Sequence, residues 1–215
     1  MFSSAINACS VLLALSGLAL GLPNVAEDPD AGPPSGYGIV PIEWDVPVNL
    51  TAPDSTTVHL SGTIQDVVAQ MEHDYPGWNE TFQQMNTTLS NDTLAMAFGH
   101  QSYEVDKMVC EPKWKYMANR QRIWEGIEYL LYLPADPKPK NGPGPGNCGR
   151  VSCSYHAAIY WCNDNKEDKE LSSWKSIAVG AFQLYSNCKY EPYDRCGGQL
   201  FYKDNWNVIV KKDIC

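Results

Sequence analysis

Eight cysteines are the residues of this chain whose type and spacing most clearly imply chemistry. Three of them lie within fifteen residues, in the stretch CGRVSCSYHAAIYWCNDN that begins at Cys148. A zinc site needs paired ligands such as CxxC with a second pair. No such pair occurs in this sequence, and its four histidines are scattered. The spacing therefore favours disulfide bonds, and we expect neither a structural metal nor a cofactor.

A catalytic cysteine is the alternative use of the same residues. His156 lies near Cys153 and Asp164 in the sequence, which has the composition of a Cys-His-Asp set. A nucleophile needs a base within hydrogen-bond reach, and in one continuous strand from Val151 to Cys162 the side chains alternate between faces. Such a strand would point His156 away from Cys153. It would also place Cys153 and Cys162 on opposite faces, where they could not bridge each other.

A pair of carboxylates offers a second route to catalysis. Glu125 and Glu128 lie three residues apart on a predicted helix, and glycoside hydrolases use two such groups. Exposed helix carboxylates are more often simply solvated. The sequence contains no GxSxG, HExxH, P-loop or dinucleotide-binding motif. We therefore lean towards a protein that is not an enzyme, and we assign no catalytic residue.

The N-terminus predicts export. It contains the apolar run VLLALSGLALGL, which is shorter than the roughly 20 residues that a membrane span needs. Small residues at Ala19 and Gly21 suit cleavage by signal peptidase. We predict a signal peptide over residues 1–21, no transmembrane segment, and a protein that is secreted into the extracellular space. Export explains the cysteines, because disulfides persist in oxidising compartments.

Seven cysteines remain after the predicted cleavage, and we assign them all to a disulfide framework: Cys110, Cys148, Cys153, Cys162, Cys188, Cys196 and Cys215. An odd number allows three internal bridges and one unpaired thiol, and spacing alone leaves the pairing open. We expect Cys215 to anchor the terminal strand to the rest of the chain. We also expect the neighbourhoods of Cys162 and Cys188 to be tied through the helix that they flank.

Charge divides the chain at Cys110. Residues 23–109 carry thirteen acids and one base, whereas residues 110–215 carry twelve acids and fifteen bases. The N-glycosylation sequons all lie in the acidic part, at Asn49, Asn79, Asn86 and Asn91. We predict a flexible Pro/Gly/Asp-rich leader over residues 22–56 and an acidic glycosylated extension over 57–109, both preceding a cysteine-rich module over 110–215. The extension either solubilises the module or masks its basic surface. A pI near 4.8 disfavours nucleic-acid binding.

Periodicity supplies the elements of these regions. Thr57–Leu60 is strand-like, and Thr63 and Asp66 resemble a capping box that opens a helix ending at Pro76-Gly77. A second, stronger helix is predicted from Trp114 to Pro134, and a third from Trp174 to Cys188. Residues 199–202 and 206–210 then read as a β-hairpin. The expected fold is α+β, with a small antiparallel sheet, helices on one face, disulfides and an acidic N-terminal extension.

Aromatic residues give the best indication of a binding surface. Seven Trp and twelve Tyr exceed what one small core requires. We assign Trp161, Tyr160, Trp174 and Trp206 first to the core. Near the glycines at 197–198, three tyrosines could instead form a contact patch for a protein or for sugar rings. They are Tyr190, Tyr193 and Tyr202.

The motif CGRVSCSYHAAIYWCNDN, followed by the ending GGQLFYKDNWNVIV, resembles a widespread set of small secreted proteins of filamentous fungi, many of them candidate effectors. The resemblance covers residues 110–215. More distantly, the order of elements is similar to that of fungal killer toxins and necrosis-inducing effector domains. The resemblance implies a secreted, non-enzymatic effector or toxin-like protein that binds a host or competitor target and contributes to virulence. The alternatives are a protein that binds the cell wall or carbohydrate, and a small secreted hydrolase. The partner would be an extracellular protein or a cell-wall glycan.

Overall fold

The computed structural model describes residues 31–52, 56–87, 103–134 and 137–215. Within these ranges there are four α-helices: α1 (Ile64–Asp74), α2 (Trp78–Thr87), α3 (Arg120–Tyr132) and α4 (Trp174–Asn187). The strands are β1 (Gly38–Val40), β2 (Glu43–Pro47), β3 (Thr57–Ser61), β4 (Val105–Cys110), β5 (Ala118–Asn119), β6 (Lys140–Asn141), β7 (Asn147–Ser154), β8 (Ala157–Asn163), β9 (Lys169–Glu170), β10 (Lys189–Tyr190), β11 (Arg195–Cys196), β12 (Gly198–Tyr202) and β13 (Trp206–Lys212). Two short 3₁₀ helices span Trp114–Tyr116 and Glu191–Tyr193. The predicted signal peptide lies outside the described residues.

A six-stranded sheet forms the centre of the molecule, in the order β1-β7-β8-β13-β12-β4. The pairs from β7 to β4 are antiparallel, whereas β1 runs parallel to β7. The predicted α+β class with disulfides is confirmed. The sheet is mixed rather than antiparallel as predicted. The reason is that β1, which precedes β2 in the sequence, forms a parallel edge strand beside β7.

Two helices begin or end where sequence signals place them. Thr63 caps α1: its side chain accepts a hydrogen bond from the Asp66 backbone N–H at 3.3 Å, and the Asp66 carboxylate accepts one from the Thr63 N–H at 2.9 Å. This is the predicted capping box. Helix α4 also covers the predicted residues, from Trp174 to Asn187. Both helices turn a buried apolar face to the core.

The remaining predicted helix begins later than expected. Asn119 caps α3 by accepting a hydrogen bond from the Arg122 N–H at 3.2 Å, so the helix cannot include Trp114. The residues before the cap form a 3₁₀ turn and the short strand β5 instead. Local apolar periodicity missed this break because a capping asparagine can also lie inside a helix.

The predicted single strand from Val151 to Cys162 is wrong, because a hairpin turn interrupts it. Tyr155 and His156 have φ angles of 46° and 62°, as a two-residue type I′ turn requires. This turn joins β7 to β8. An irregularity between Arg150 and Ser152 shifts the register of β7, and such a bulge reverses which face the later side chains occupy.

In its described residues the acidic first half is not an extension, and the prediction is corrected for them. Ile42, Trp44 and Val46 are buried with the helices in one continuous core. Strand β4, which precedes the predicted module, is the edge strand paired to β12. The predicted leader over 22–56 is likewise structured wherever it is described, at 31–52 and 56. Apolar burial outweighs the acidic and Pro-rich composition of this region, which the sequence interpretation took as decisive.

A stacked pair of tryptophans packs the first half of the chain against the second half. The Trp44 indole stacks on Trp174, with ring centroids 3.9 Å apart, and its Nε1–H donates to the carbonyl oxygen of Gly62 at 2.8 Å. Next to it, a Cβ at Gly149 would collide with the side chain of Ile42, so a glycine is required there for close approach. A removable mask over the basic half is therefore excluded for this segment.

The face of the sheet opposite the helices is organised around a buried carboxylate. Asp213 accepts hydrogen bonds from the Tyr160 hydroxyl and from the backbone N–H groups of Gly32 and Ile214, each of these two at 2.8 Å. The Arg150 guanidinium lies 3.3 Å away. Burial by itself raises the pKa of Asp213, but these donors and the Arg150 charge outweigh it and leave the pKa lowered. One side chain thus connects residues near both ends of the described chain.

Replacing Trp44 by Ala tests whether the first half belongs to the core. We expect a loss of about 3–5 kcal/mol in the free energy of unfolding, because a buried indole is removed. Urea titration followed by circular dichroism measures it. Ile39→Ala, at a side chain that is 60% exposed, is the control and should change stability little. Ile42→Val, with an expected loss of about 1 kcal/mol, gives a graded readout if the Trp44 variant does not fold. A Trp44 variant as stable as the wild type would restore the leader interpretation.

The Asp213 carboxylate predicts how stability depends on pH. Because the pKa is lowered in the folded state, the ionised group stabilises the fold above its ordinary pKa, and this contribution is lost as the pH falls towards the folded pKa. Asp213→Asn should cost about 2 kcal/mol at neutral pH, since charged hydrogen bonds are lost. Urea titrations at pH 6 and pH 3 should show a steeper loss for the wild type than for the variant. If the wild type and the variant lose equal stability between pH 6 and pH 3, Asp213 does not cause the pH dependence.

Candidate functional site

Three disulfides and one free thiol account for the seven cysteines of the predicted framework. Cys110 is bonded to Cys188, Cys148 to Cys162, and Cys153 to Cys215, while Cys196 is free and buried. The anchoring of the terminal segment through Cys215 is confirmed. No bridge ties the neighbourhood of Cys162 to that of Cys188, so that expectation is not met.

The reason offered for keeping Cys153 and Cys162 apart was wrong, although they do not bridge. Both cysteines lie in the same buried cluster on the face opposite the helices. The register shift in β7 brings Cys153 to this face. There the terminal Cys215, with a Cα–Cα distance of 5.4 Å, takes Cys153 as its partner.

The residues considered for catalysis are not assembled into a site. Cys153 is oxidised, and the Nδ1 of His156 lies 3.3 Å from the carbonyl oxygen of Asp213. The Asp164 carboxylate accepts a hydrogen bond from the Asn207 side chain at 2.7 Å. A Cys-His-Asp set therefore does not form among these three residues.

The two helix carboxylates have different surroundings. Glu125 is paired with the Arg122 guanidinium on the same helix, at 2.8 Å and 3.0 Å. Burial and the Glu125 charge raise the pKa of Glu128. None of the described cavities is lined by either carboxylate.

Two of the three tyrosines in the predicted contact patch are exposed. Tyr190 and Tyr193 have 39% and 56% of their surface exposed. Tyr202 is only 4% exposed and stacks on Trp206 at 3.9 Å, so it belongs to the core. The Tyr202 ring points to the helix face of the sheet, and this orientation depends on the tertiary structure. The tryptophans and the tyrosine assigned to the core are buried as predicted.

A tryptophan completes an exposed group that we call the aromatic patch: Trp114, Tyr190 and Tyr193. Trp114 is 48% exposed. Its ring stacks on Tyr193 with centroids 5.0 Å apart, and Tyr193 in turn stacks on Tyr190 at 5.7 Å. Sequence reasoning missed Trp114 because it placed the residue inside a helix. The signal that could have found it is Asn119, a capping residue five positions later.

Short, rigid elements hold the aromatic patch in place. Strands β10, β11 and β5 form a three-stranded sheet, and the two 3₁₀ turns that carry Trp114 and Tyr193 flank it. The disulfide between Cys110 and Cys188 joins the two segments that lead into the patch. Because both segments are fixed, little conformational entropy would be lost when a partner binds.

Charges of both signs surround the aromatic patch. The segments 111–120 and 189–195 together carry five bases and three acids, against a net charge of −9 for the chain. The Arg195 guanidinium lies 5.9 Å from the Trp114 ring centroid, and Lys189 forms an ion pair with Glu191. Hydrogen bonding to Lys189 and its charge lower the pKa of Glu191. The patch is therefore a locally basic surface on an acidic protein.

Ring orientation limits what the aromatic patch can bind. Sugars bind to aromatic platforms through free ring faces. Here Tyr193 stacks on both Trp114 and Tyr190, and Trp114 also lies near Arg195. These contacts cover part of the ring faces and place a cationic side chain beside them. Trp, Tyr and Arg are the residues enriched at the centres of protein interfaces.

Two of the four sequons can be placed on the described surface. Asn49 is exposed, and its side-chain oxygen accepts hydrogen bonds from the N–H and hydroxyl of Thr51 at 3.0 Å and 2.7 Å. Asn79 is half-buried at the start of α2. Asn86 lies near the end of the same helix, and Asn91 lies outside the described residues. Glycosylation would therefore meet less steric obstruction at Asn49 than at Asn79.

Comparison with protein-family models, curated proteins and solved structures found no match for this chain. Among the described residues, no helix is long and apolar enough to cross a membrane, and no group of three His, Cys, Asp or Glu residues is placed to hold a metal ion. The fold is that of a disulfide-stabilised α+β protein. What it does has to be inferred from its own surface.

The free thiol of Cys196 should be inert in the folded protein. Burial raises its pKa to about 12, and the thiolate is the reactive form. In a protein that lacks the first 21 residues, iodoacetamide at pH 8 should label no cysteine under native conditions and one cysteine in guanidinium without reductant. Peptide mass mapping identifies the labelled residue. Rapid labelling of the native protein, or three or more labelled cysteines after unfolding, would contradict the assignment.

Proposed function

We propose that this protein is an exported, glycosylated effector or toxin-like factor that acts without catalysis, by binding a protein of a host or competitor at the aromatic patch. The observation that carries the proposal is the exposed stack of Trp114, Tyr193 and Tyr190, held between short strands and a disulfide. Exposed aromatics that are rigidly held in a polar rim are characteristic of interface centres.

The disulfides and the apolar N-terminal run support export, since oxidised cysteines persist outside the cytosol. The motif beginning at Cys148, which resembles that of small secreted fungal proteins, supports the effector role. The local excess of basic side chains favours a partner with an acidic surface, because complementary charges accelerate encounter and select the orientation of binding.

Binding to a cell-wall glycan is the second candidate, supported by the same aromatic rings. It is less well supported because the rings stack on one another, which covers part of their faces. A hydrolase is third, since the carboxylates considered for that role do not line a described cavity.

A double variant of the aromatic patch, Trp114→Ala with Tyr193→Ala, tests the proposal. We expect affinity for the partner to fall at least tenfold, which corresponds to about 1.4 kcal/mol, while the fold is kept, because both side chains are at the surface. Tyr155→Ala is the matched control. Its ring is 74% exposed at the β7–β8 turn and has no ring contact with the three residues of the patch.

The measurement is capture from host extracellular fluid and, separately, from isolated cell wall, using immobilised wild type and both variants. Cell-death or growth assays run in parallel, and circular dichroism checks folding. The proposal requires a protein that is captured by the wild type and by Tyr155→Ala but lost with the double variant, together with loss of the biological effect. Retention of both capture and effect by the double variant would refute it. Selective loss of wall polysaccharide binding would favour the glycan alternative.

A further inference from the structure

A second candidate site lies apart from the aromatic patch, in a cavity of about 630 Å³ that we call the two-hairpin cleft. One group of its lining residues belongs to the β2–β3 hairpin: Glu43, Asp45 and His59. Another belongs to the β6–β9 pair and the residues beside it: Lys138, Lys140, Asp168 and Glu170. The volume is in the range of small-molecule sites in proteins.

The β2–β3 side of the two-hairpin cleft carries two carboxylates bridged by a histidine. Nε2 of His59 is 2.8 Å from Glu43, and Nδ1 is 2.8 Å from Asp45. A neutral imidazole has one donor nitrogen, whereas the imidazolium has two. The geometry therefore fits a protonated His59, and hydrogen bonding to Asp45 with the charges of both acids accordingly raises its pKa. The proton on His59 occupies a position that another cation could take.

The β6–β9 side of the two-hairpin cleft carries two ammonium groups that share one carboxylate. Lys138 and Lys140 lie 3.7 Å and 3.4 Å from Glu170. Asp168 lies on the same side, so the formal charges balance there, but each ammonium group has three N–H donors and Glu170 cannot occupy all of them. An anionic group of a ligand could bind here without displacing an internal ion pair completely.

The base of the two-hairpin cleft contains Trp174 and Asn141. The Asn141 side chain is buried, and its N–H groups donate to the carbonyl oxygens of Asn147 and Trp161. Its side-chain oxygen accepts no hydrogen bond from the described residues. An unpaired buried acceptor costs free energy, and a ligand N–H that reached this oxygen would recover part of that cost.

We propose that the two-hairpin cleft binds a zwitterionic ligand of the size of a short peptide. Its ammonium group would be held by Glu43 and Asp45, and its carboxylate by Lys138 and Lys140. Trp174 and Asn141 also line the cleft, and both side chains are almost fully buried.

This arrangement makes binding compete with a proton. The ligand ammonium and the His59 imidazolium require the same two carboxylates, so ligand affinity rises as the pH rises through the His59 pKa. The other charged groups that line the cleft are Asp168, Glu170 and the two lysines. Histidine is the side-chain type that ordinarily changes charge between pH 5 and pH 8, so His59 is the group that we expect to titrate.

The test is an NMR titration of the full secreted chain with triglycine, followed through the His59 imidazole and the Trp174 indole signals. N-acetyl-triglycine lacks the ammonium charge, and triglycine amide lacks the carboxylate. We expect millimolar triglycine to shift both signals and to lower the pKa of His59. Each blocked peptide should bind at least tenfold more weakly, and triglycine should bind more tightly at pH 7 than at pH 5, a range in which its own α-ammonium group stays largely protonated.

Two charge-removing variants assign the ends of the ligand. Glu43→Gln with Asp45→Asn should reduce the affinity for triglycine and abolish the pH dependence. Lys138→Gln with Lys140→Gln should reduce the affinity and leave the pH dependence in place. Lys212→Gln, at an exposed strand end outside the cleft, is the control and should bind like the wild type.

The proposal is overturned if triglycine shifts neither signal, or if the blocked peptides bind as tightly as triglycine itself. It does not depend on the aromatic patch, so the Trp114→Ala, Tyr193→Ala variant should bind triglycine normally. Failure of that variant in the capture assay therefore bears on the effector proposal alone.

Discussion

The stack of Trp44 on Trp174 joins the N-terminal hairpin to the rest of the molecule. The two indoles lie 3.9 Å apart, and Trp174 also meets Trp161 edge to face at 6.5 Å. Burial of large aromatic surfaces supplies much of the stabilisation of a small core. Because these rings come from β2, β8 and α4, the acidic first half and the cysteine-rich second half share one core. The same stack fixes the β2–β3 side of the two-hairpin cleft, to whose lining Trp174 contributes.

The two faces of the central sheet are stabilised by different interactions. The helix face is closed by apolar packing. The other face carries two disulfides and the Asp213 carboxylate, which together hold the chain segments near residue 32 and the C-terminal cysteine. The third disulfide, from Cys110 to Cys188, lies at the sheet edge, beside the aromatic patch. One covalent link thus helps to hold the candidate interface.

The distribution of charge on the folded surface differs from the division into acidic and basic halves that the sequence suggests. In the described residues, the acids before Cys110 lie in segments that share one core with the second half. Two of them, Glu43 and Asp45, line a cleft beside two lysines, and the basic excess of the second half is concentrated near the aromatic patch. A protein with net charge −9 therefore presents local surfaces of different character, as selective binding requires.

Local signals in the sequence determined the α+β class, the capping box at Thr63, helix α4, the terminal hairpin and the predominance of disulfides over metal ligands. Each depends on residues within a few positions of one another, where periodicity and capping chemistry decide. Only the tertiary structure decided the disulfide pairing, the burial of Tyr202, the membership of Trp114 in the aromatic patch and the joining of the acidic half to the core. These depend on contacts between residues distant in sequence, such as Trp44 with Trp174, and on a turn at Tyr155 and a bulge in β7 that change which face a side chain occupies. Composition could not reveal them, because the free energy of burial depends on which surfaces meet and not on how many apolar or charged residues a segment contains.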